Sequence, residues 1–193
     1  MKNFEQTYNM ISNYTLVDKS RCKVLFELAE STYRSYGDWF ECGVFRGGTA
    51  MLLNEIKPFD KKLYLFDTFE GMPEVCSKDN HHKKGDFNNT SLEEVRSRVG
   101  DEPIFKKGFI PDTFVGLEDV KLSFAHIDVD IYQSVIDCCE FIYPRMYSGG
   151  FMVFDDYGFK SCKGAKIAVH EFFDSKPEKI LILENGQAIV EKK

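Results

Sequence analysis

Apolar positions along the chain recur with two different periods. Between residues 5 and 36 they follow helical spacing, as in RCKVLFELAESTYRS, where Val24, Leu25 and Leu28 share one side. One or two lead-in helices are predicted there. Beyond this stretch the pattern shortens. DWFECGVFRGG runs from apolar residues into glycines, TAMLLNEIK has helix-forming character, and KKLYLFDTFEGMP is a second apolar run ending in an acid and a turn. Strand, helix and strand in that order make a βαβ unit.

The alternation then repeats. TSLEEVRSRV opens a helix with Thr90 or Ser91 as N-cap and acids in its first turn. PIFKKGFI and KLSFAHIDVD are predicted strands, YQSVIDCCEFIYPRM a helix, and GGFMVFDDYG a buried strand led in by a Gly-Gly turn. GAKIAVHEFFDS is helical by the spacing of Ile167, Val169, Phe172 and Phe173, and KILILEN and GQAIVEKK, separated by Asn-Gly, form a terminal hairpin. The expected fold is α/β: a Rossmann-like, doubly wound, mostly parallel seven-stranded sheet covered on both faces, with an antiparallel C-terminal hairpin. It occupies residues 1–193 as one domain. Residues 73–89, rich in charge, Asn and Gly, lack periodicity and are expected to be a mobile lid loop.

Charge and composition narrow the function. A net charge of -6 leaves no basic face for a phosphate backbone, so neither nucleic acid nor an anionic membrane is expected as a partner. MKNFEQTYNMISNYTLVDKS has no signal-type apolar core and no run is long enough to cross a bilayer, which is read as cytoplasmic. Six cysteines without a CxxC pair, two of them adjacent at Cys138 and Cys139, are read as small reduced hydrophobes rather than as zinc ligands or disulfides.

Ligands of such sheets sit outside the carboxyl ends of the strands. The residues collected there are Glu41, Gly43, Gly47 and Gly48, then Asp67 and Thr68, then Gly108, then Asp128 and Asp130, then Asp155 and Asp156. ECGVFRGG is neither a Walker loop nor GxGxxG. Gly43 would let a flat ligand approach the backbone, and Asp67 is placed to accept hydrogen bonds from ribose hydroxyls. The plainer alternatives are a tight turn at Gly43 and a loop-capping acid at Asp67.

In HIDVD, extended backbone would point Asp128 and Asp130 to the same side, and Asp155 and Asp156 emerge at the adjacent strand end. Four gathered carboxylates repel unless a cation or proton lies among them, which suits a hard divalent ion such as Mg²⁺. Capping of the next helix by Asp130, or pairing with Lys or Arg, remains open for some of these acids. His126 and His170 are read as structural, and His81 and His82 as a solvated patch with Lys83 and Lys84.

FECGVFRGGTA, LYLFDTFEGMPE, FKKGFIPDTF, HIDVDIYQSVIDCCEFIYPRMYSGGFMVFDDYG and GAKIAVHEFF, in this order, resemble the macrocin O-methyltransferase family from about residue 37 onward. That resemblance implies a Mg²⁺-dependent, S-adenosylmethionine-dependent O-methyltransferase acting on a hydroxyl of a sugar or other polyhydroxylated small molecule. It implies Glu41, Gly43, Phe45 and Gly47 at the methionine part of the cofactor, and Asp67 and Thr68 at its ribose. Gly108 and Phe109 fall on the adenine side. Asp128, Asp155 and Asp156 match the metal ligands and Asp130 the general base, so Asp128 and Asp130 carry the catalytic roles. A homodimer is compatible with it. The lead-in is short, and Phe109 and Ile110 replace the usual Trp-Phe. Rival readings are a DxD phosphohydrolase, a nucleotide-sugar glycosyltransferase, and a non-catalytic cofactor-binding protein.

Overall fold

A computed structural model describes residues 2–193. Two lead-in helices, α1 (Phe4–Ile11) and α2 (Lys19–Ser31), precede β1 (Asp38–Cys42), α3 (Gly48–Ile56) and β2 (Leu63–Asp67). There follow α4 (Leu92–Val99), β3 (Ile104–Lys107), β4 (Leu122–Ile127), α5 (Tyr132–Ile142), β5 (Met146–Phe154), α6 (Lys163–Phe173), β6 (Leu181–Ile182) and β7 (Ala188–Glu191). The seven strands are ordered β3-β2-β1-β4-β5-β7-β6. All pairs among β1 to β5 are parallel, and β7 is antiparallel to both β5 and β6.

Local chemistry explains the boundaries. Asp18 caps α2 by accepting from the Ser20 and Arg21 amides, and Ser91 caps α4, whose first turn carries Glu93 and Glu94. Residues 73–89 contain no helix or strand. Strand alternation splits the core into two layers. Phe40, Phe66, Ala125, Met152 and Phe154 pack with α5 and α6, while Trp39, Leu65, Phe124 and Val153 pack with α1 to α4.

Two sequence expectations need correction. β5 begins at Met146, before the glycines, so Gly149 and Gly150 lie inside the strand; Gly149, at φ +80°, sits where the β4 pairing jumps from Met146 to Phe151. On α6, Ile167 faces solvent, and Ala165 and Ala168 face the core with Val169 and Phe173.

On the α2 face, alternation also aligns charged residues. Glu41 stands directly across from His126, whose Nδ1 lies 3.0 Å from Glu41 Oε1; both side chains are fully buried. His126 Nε2 lies 3.7 Å from Asp155 Oδ1, which also accepts from Gln187 Nε2 at 2.8 Å. Arg21 of α2 donates to Asp155 Oδ2 and, through Nε, to Asp18 Oδ2. Burial disfavours charge on His126, yet Asp155 and Glu41 outweigh it and raise the imidazole to about 10. Burial likewise opposes ionisation of Asp155, but His126, Arg21 and Gln187 hold its carboxyl below the usual range.

Removing one partner of such a pair strands a buried charge. Arg21→Met should therefore cost about 3–5 kcal/mol in chemical denaturation; a loss below about 1 kcal/mol, the scale of an exposed pair, would show that Arg21 is dispensable to Asp155.

Candidate functional site

The backbone hydrogen-bond ladder continues past each strand end and so fixes the loops that follow. The Gly43 amide donates to Phe66 O, the Asp128 amide to Cys42 O, the Asp155 amide to Ile127 O and the Gly108 amide to Asp67 O. Outside these ends, where the order turns from β1 to β4, lies a cavity of about 430 Å³.

The structure brings Gly43, Phe45, Asp67, Thr68, Gly108, Phe109, Asp128, Asp130, Asp155 and Asp156 to the cavity wall. Glu41 and Gly47 are not on it. Glu41 is consumed by His126 behind the wall, and Gly47, at φ +85°, forms the N-cap of α3 tight against Val95. Gly43 is required by packing: at φ +87°, a Cβ there would lie 1.7 Å from the Asp128 carbonyl oxygen.

Asp67 shapes the loop after β1. Its Oδ2 accepts from the Val44 and Phe45 amides at 2.7 and 2.8 Å, and its Oδ1 from the Phe69 amide at 2.7 Å. The capping alternative thus describes what Asp67 does in the protein, and the residue also lines the cavity. Thr68 Oγ1 donates to Gly71 O and closes the next turn.

The acids are less alike than the sequence suggests. Asp130 has left-handed backbone, φ +57°, so strand alternation does not align it with Asp128. Its amide donates to Asp156 Oδ2 at 2.9 Å. It does not cap α5 either: the Tyr132 amide donates instead to Asp79 Oδ1 at 2.9 Å, from residues 73–89. Burial, then the neighbouring acids, push Asp128 and Asp156 well above the ordinary range, and burial raises Asp130 as well.

Residues 73–89 roof the cavity and are tied down at several points. Besides the Asp79 contact, Lys78 Nζ pairs with Glu171 at 3.1 Å, the Met72 amide donates to Asp86 O, and Phe87 packs edge-on against Phe45. Gly164 of α6 makes room for Asp79, since a Cβ there would meet Asp79 Oδ1 at 1.8 Å.

His82 departs from the expected solvated patch. Its side chain is 8% exposed, and its Nε2 lies 3.7 Å from Asp130 Oδ1. Sequence reasoning also missed Tyr14, Thr15, Leu16 and Arg21 of the lead-in, and Cys162, all on the cavity wall. For Arg21 a signal existed: it lies one turn before Leu25, on the buried stripe of α2.

The comparisons with known proteins agree with this architecture. The O-methyltransferase NovP superposes with a TM-score of 0.84 at 23% identity, over 93% of this chain and 82% of that one. The mycinamicin III 3''-O-methyltransferase of Micromonospora griseorubida is 30% identical over 83% of this chain and 70% of its own length. A tetracenomycin 4'-O-methyltransferase of Streptomyces olivaceus, acting on an 8-demethyl-8-(2,3-dimethoxy-alpha-L-rhamnosyl) derivative, is 31% identical over 70% of this chain, which spans 58% of that enzyme. A family model described as macrocin-O-methyltransferase (TylF) matches residues 8–180, and the chain belongs to that family.

Proposed function

We propose that the chain is an S-adenosylmethionine-dependent O-methyltransferase whose acceptor is a hydroxyl of a sugar or related polyhydroxylated small molecule. The observation that carries this reading is the composition of one cavity wall. Its wall carries two kinds of residue: Gly43, Asp67 and Gly108, which suit a nucleoside, and Asp128, Asp130 and Asp156, which suit an acceptor hydroxyl. The names of the relatives, which act on a mycinamicin and a rhamnosyl-tetracenomycin, support a glycosidic acceptor.

Mg²⁺ suits the acidic side. Asp128 and Asp156 offer hard oxygen donors, raised first by burial and then by the repulsion of neighbouring acids, which a bound cation would relieve. Asp155 completes the proposed set of Asp128, Asp155 and Asp156: its oxygens each accept one hydrogen bond, from Arg21 and Gln187, and keep lone pairs for an ion. When bound, S-adenosylmethionine supplies an electrophilic methyl group and Mg²⁺ lowers the pKa of a hydroxyl beside it.

The remaining work belongs to the protein. Asp130, made more basic by burial, accepts the hydroxyl proton on its carboxylate. Asp67 holds the loop carrying Val44 and Phe45 against the donor side, and residues 73–89 exclude water.

Isothermal titration with S-adenosylhomocysteine, with and without Mg²⁺, tests the cavity. Asp67→Ala should weaken nucleoside binding at least about tenfold, and Asp156→Ala should remove Mg²⁺ binding; absence of any nucleoside binding in the parent chain would overturn the reading. Against a panel of deoxysugar glycosides, Asp130→Asn should lower kcat by roughly 10²–10⁴-fold with nucleoside affinity unchanged. Full turnover by that variant across pH would remove Asp130 from the base role, and nucleoside binding without any turnover over the whole panel would favour a non-catalytic protein.

A further inference from the structure

Beside the all-oxygen acids, a second set of donors of different chemistry meets at one point. His82 comes from the roof segment, Asp130 from the loop after β4, and Cys162 from the residue preceding α6. Cys162 Sγ lies 3.5 Å from His82 Nε2 and 3.5 Å from Asp130 Oδ1, and those two atoms are 3.7 Å apart. Zinc bonds of about 2.0–2.3 Å in tetrahedral geometry separate neighbouring ligand atoms by roughly 3.3–3.8 Å. The three sides of this triangle fall in that interval.

His82 is held close to a second carboxylate as well: its other ring nitrogen, Nδ1, lies 3.6 Å from Asp86 Oδ2, longer than a hydrogen bond but near enough to favour a proton on that nitrogen and leave Nε2 as the donor. Cys162 is buried, and all three donors belong to residues on the cavity wall, which leaves the fourth corner toward the cavity. Donor softness separates this set from its neighbours: sulfur and imidazole favour zinc-like ions, whereas the carboxylates of Asp128 and Asp156 favour magnesium.

We propose that His82, Asp130 and Cys162 form a site for a thiophilic divalent cation of the zinc class, which fastens residues 73–89 over the cavity. Binding replaces the Cys162 S–H bond with a sulfur–metal bond and releases the proton to solvent, so affinity rises with pH. The site stands independently of the methyl-transfer reading. Only its consequence rests on that reading: an ion on Asp130 occupies the proposed base, making zinc an inhibitor that also locks the roof.

Cobalt(II) reports such a site directly. The full chain, stripped with chelator and titrated anaerobically with Co²⁺, should develop a thiolate charge-transfer band in the near ultraviolet that saturates at one equivalent. Excess Mg²⁺ should leave it, and Zn²⁺ should bleach it. Cys162→Ser and Cys162→Ala should each abolish the band, His82→Gln should weaken Co²⁺ binding at least roughly tenfold, and Asp156→Asn should retain it, which separates this site from the magnesium proposal. Zn²⁺ should also slow tryptic cleavage at Lys83 and Lys84 in the parent chain but not in His82→Gln, a variant on the roof segment that leaves the core unaltered. No band in the parent chain, a band that survives loss of Cys162, or a band quenched by Mg²⁺ would each overturn the proposal and leave three side chains joined only by hydrogen bonds.

Discussion

The centre of this protein is organised by a row of buried charges of alternating sign: Glu41, His126, Asp155, Arg21. Glu41 comes from β1, His126 from β4, Asp155 from the residue just past β5, and Arg21 from a lead-in helix. None of these groups is tolerable alone in an apolar interior, but in this order each is compensated by its neighbours. The constraint reaches outward. Because strand side chains alternate, a slip of one residue between β1 and β4 would send Glu41 and His126 to opposite faces, so the pair specifies register as well as charge. Because Arg21 belongs to α2, the same row ties that helix to the sheet and brings Tyr14, Thr15 and Leu16 to the cavity wall.

Much of this was legible in the sequence, and the division between legible and hidden has a physical basis. Periodicity reports what a segment does within itself, so the βαβ alternation, the Ser91 cap and the acids at strand ends could be read from local pattern. It does not report which strands become neighbours. Glu41 faces His126 only because β1 lies beside β4, and Asp155 meets Arg21 only because α2 lies over that face. Ile167 shows the opposite error: helical spacing placed it with the core residues, but Ala165 and Ala168 are the buried ones instead. Asp130 shows a third kind, since the alternation argument assumed extended backbone where the chain turns left-handed.

Asp67 illustrates how a loop-shaping role and a binding role can share one side chain. By accepting three backbone amides it gives the segments after β1 and β2 a common anchor, so the shape of that edge of the cavity is set before any ligand arrives. The acids across the cavity behave differently. They are crowded, desolvated and short of positive charge, a condition maintained by the surrounding fold rather than relieved by it.

The Asp79 contact with the Tyr132 amide couples the roof to secondary structure. A helix of eleven residues whose own N-cap, Ile131, has no side-chain acceptor takes its cap from a segment 53 positions earlier in the chain. Lifting that segment therefore uncaps α5, adding about 1 kcal/mol to the cost of opening. The Tyr132 amide proton becomes a gauge of the cavity: its exchange with solvent follows the fraction of molecules whose roof is raised, whatever occupies the space beneath.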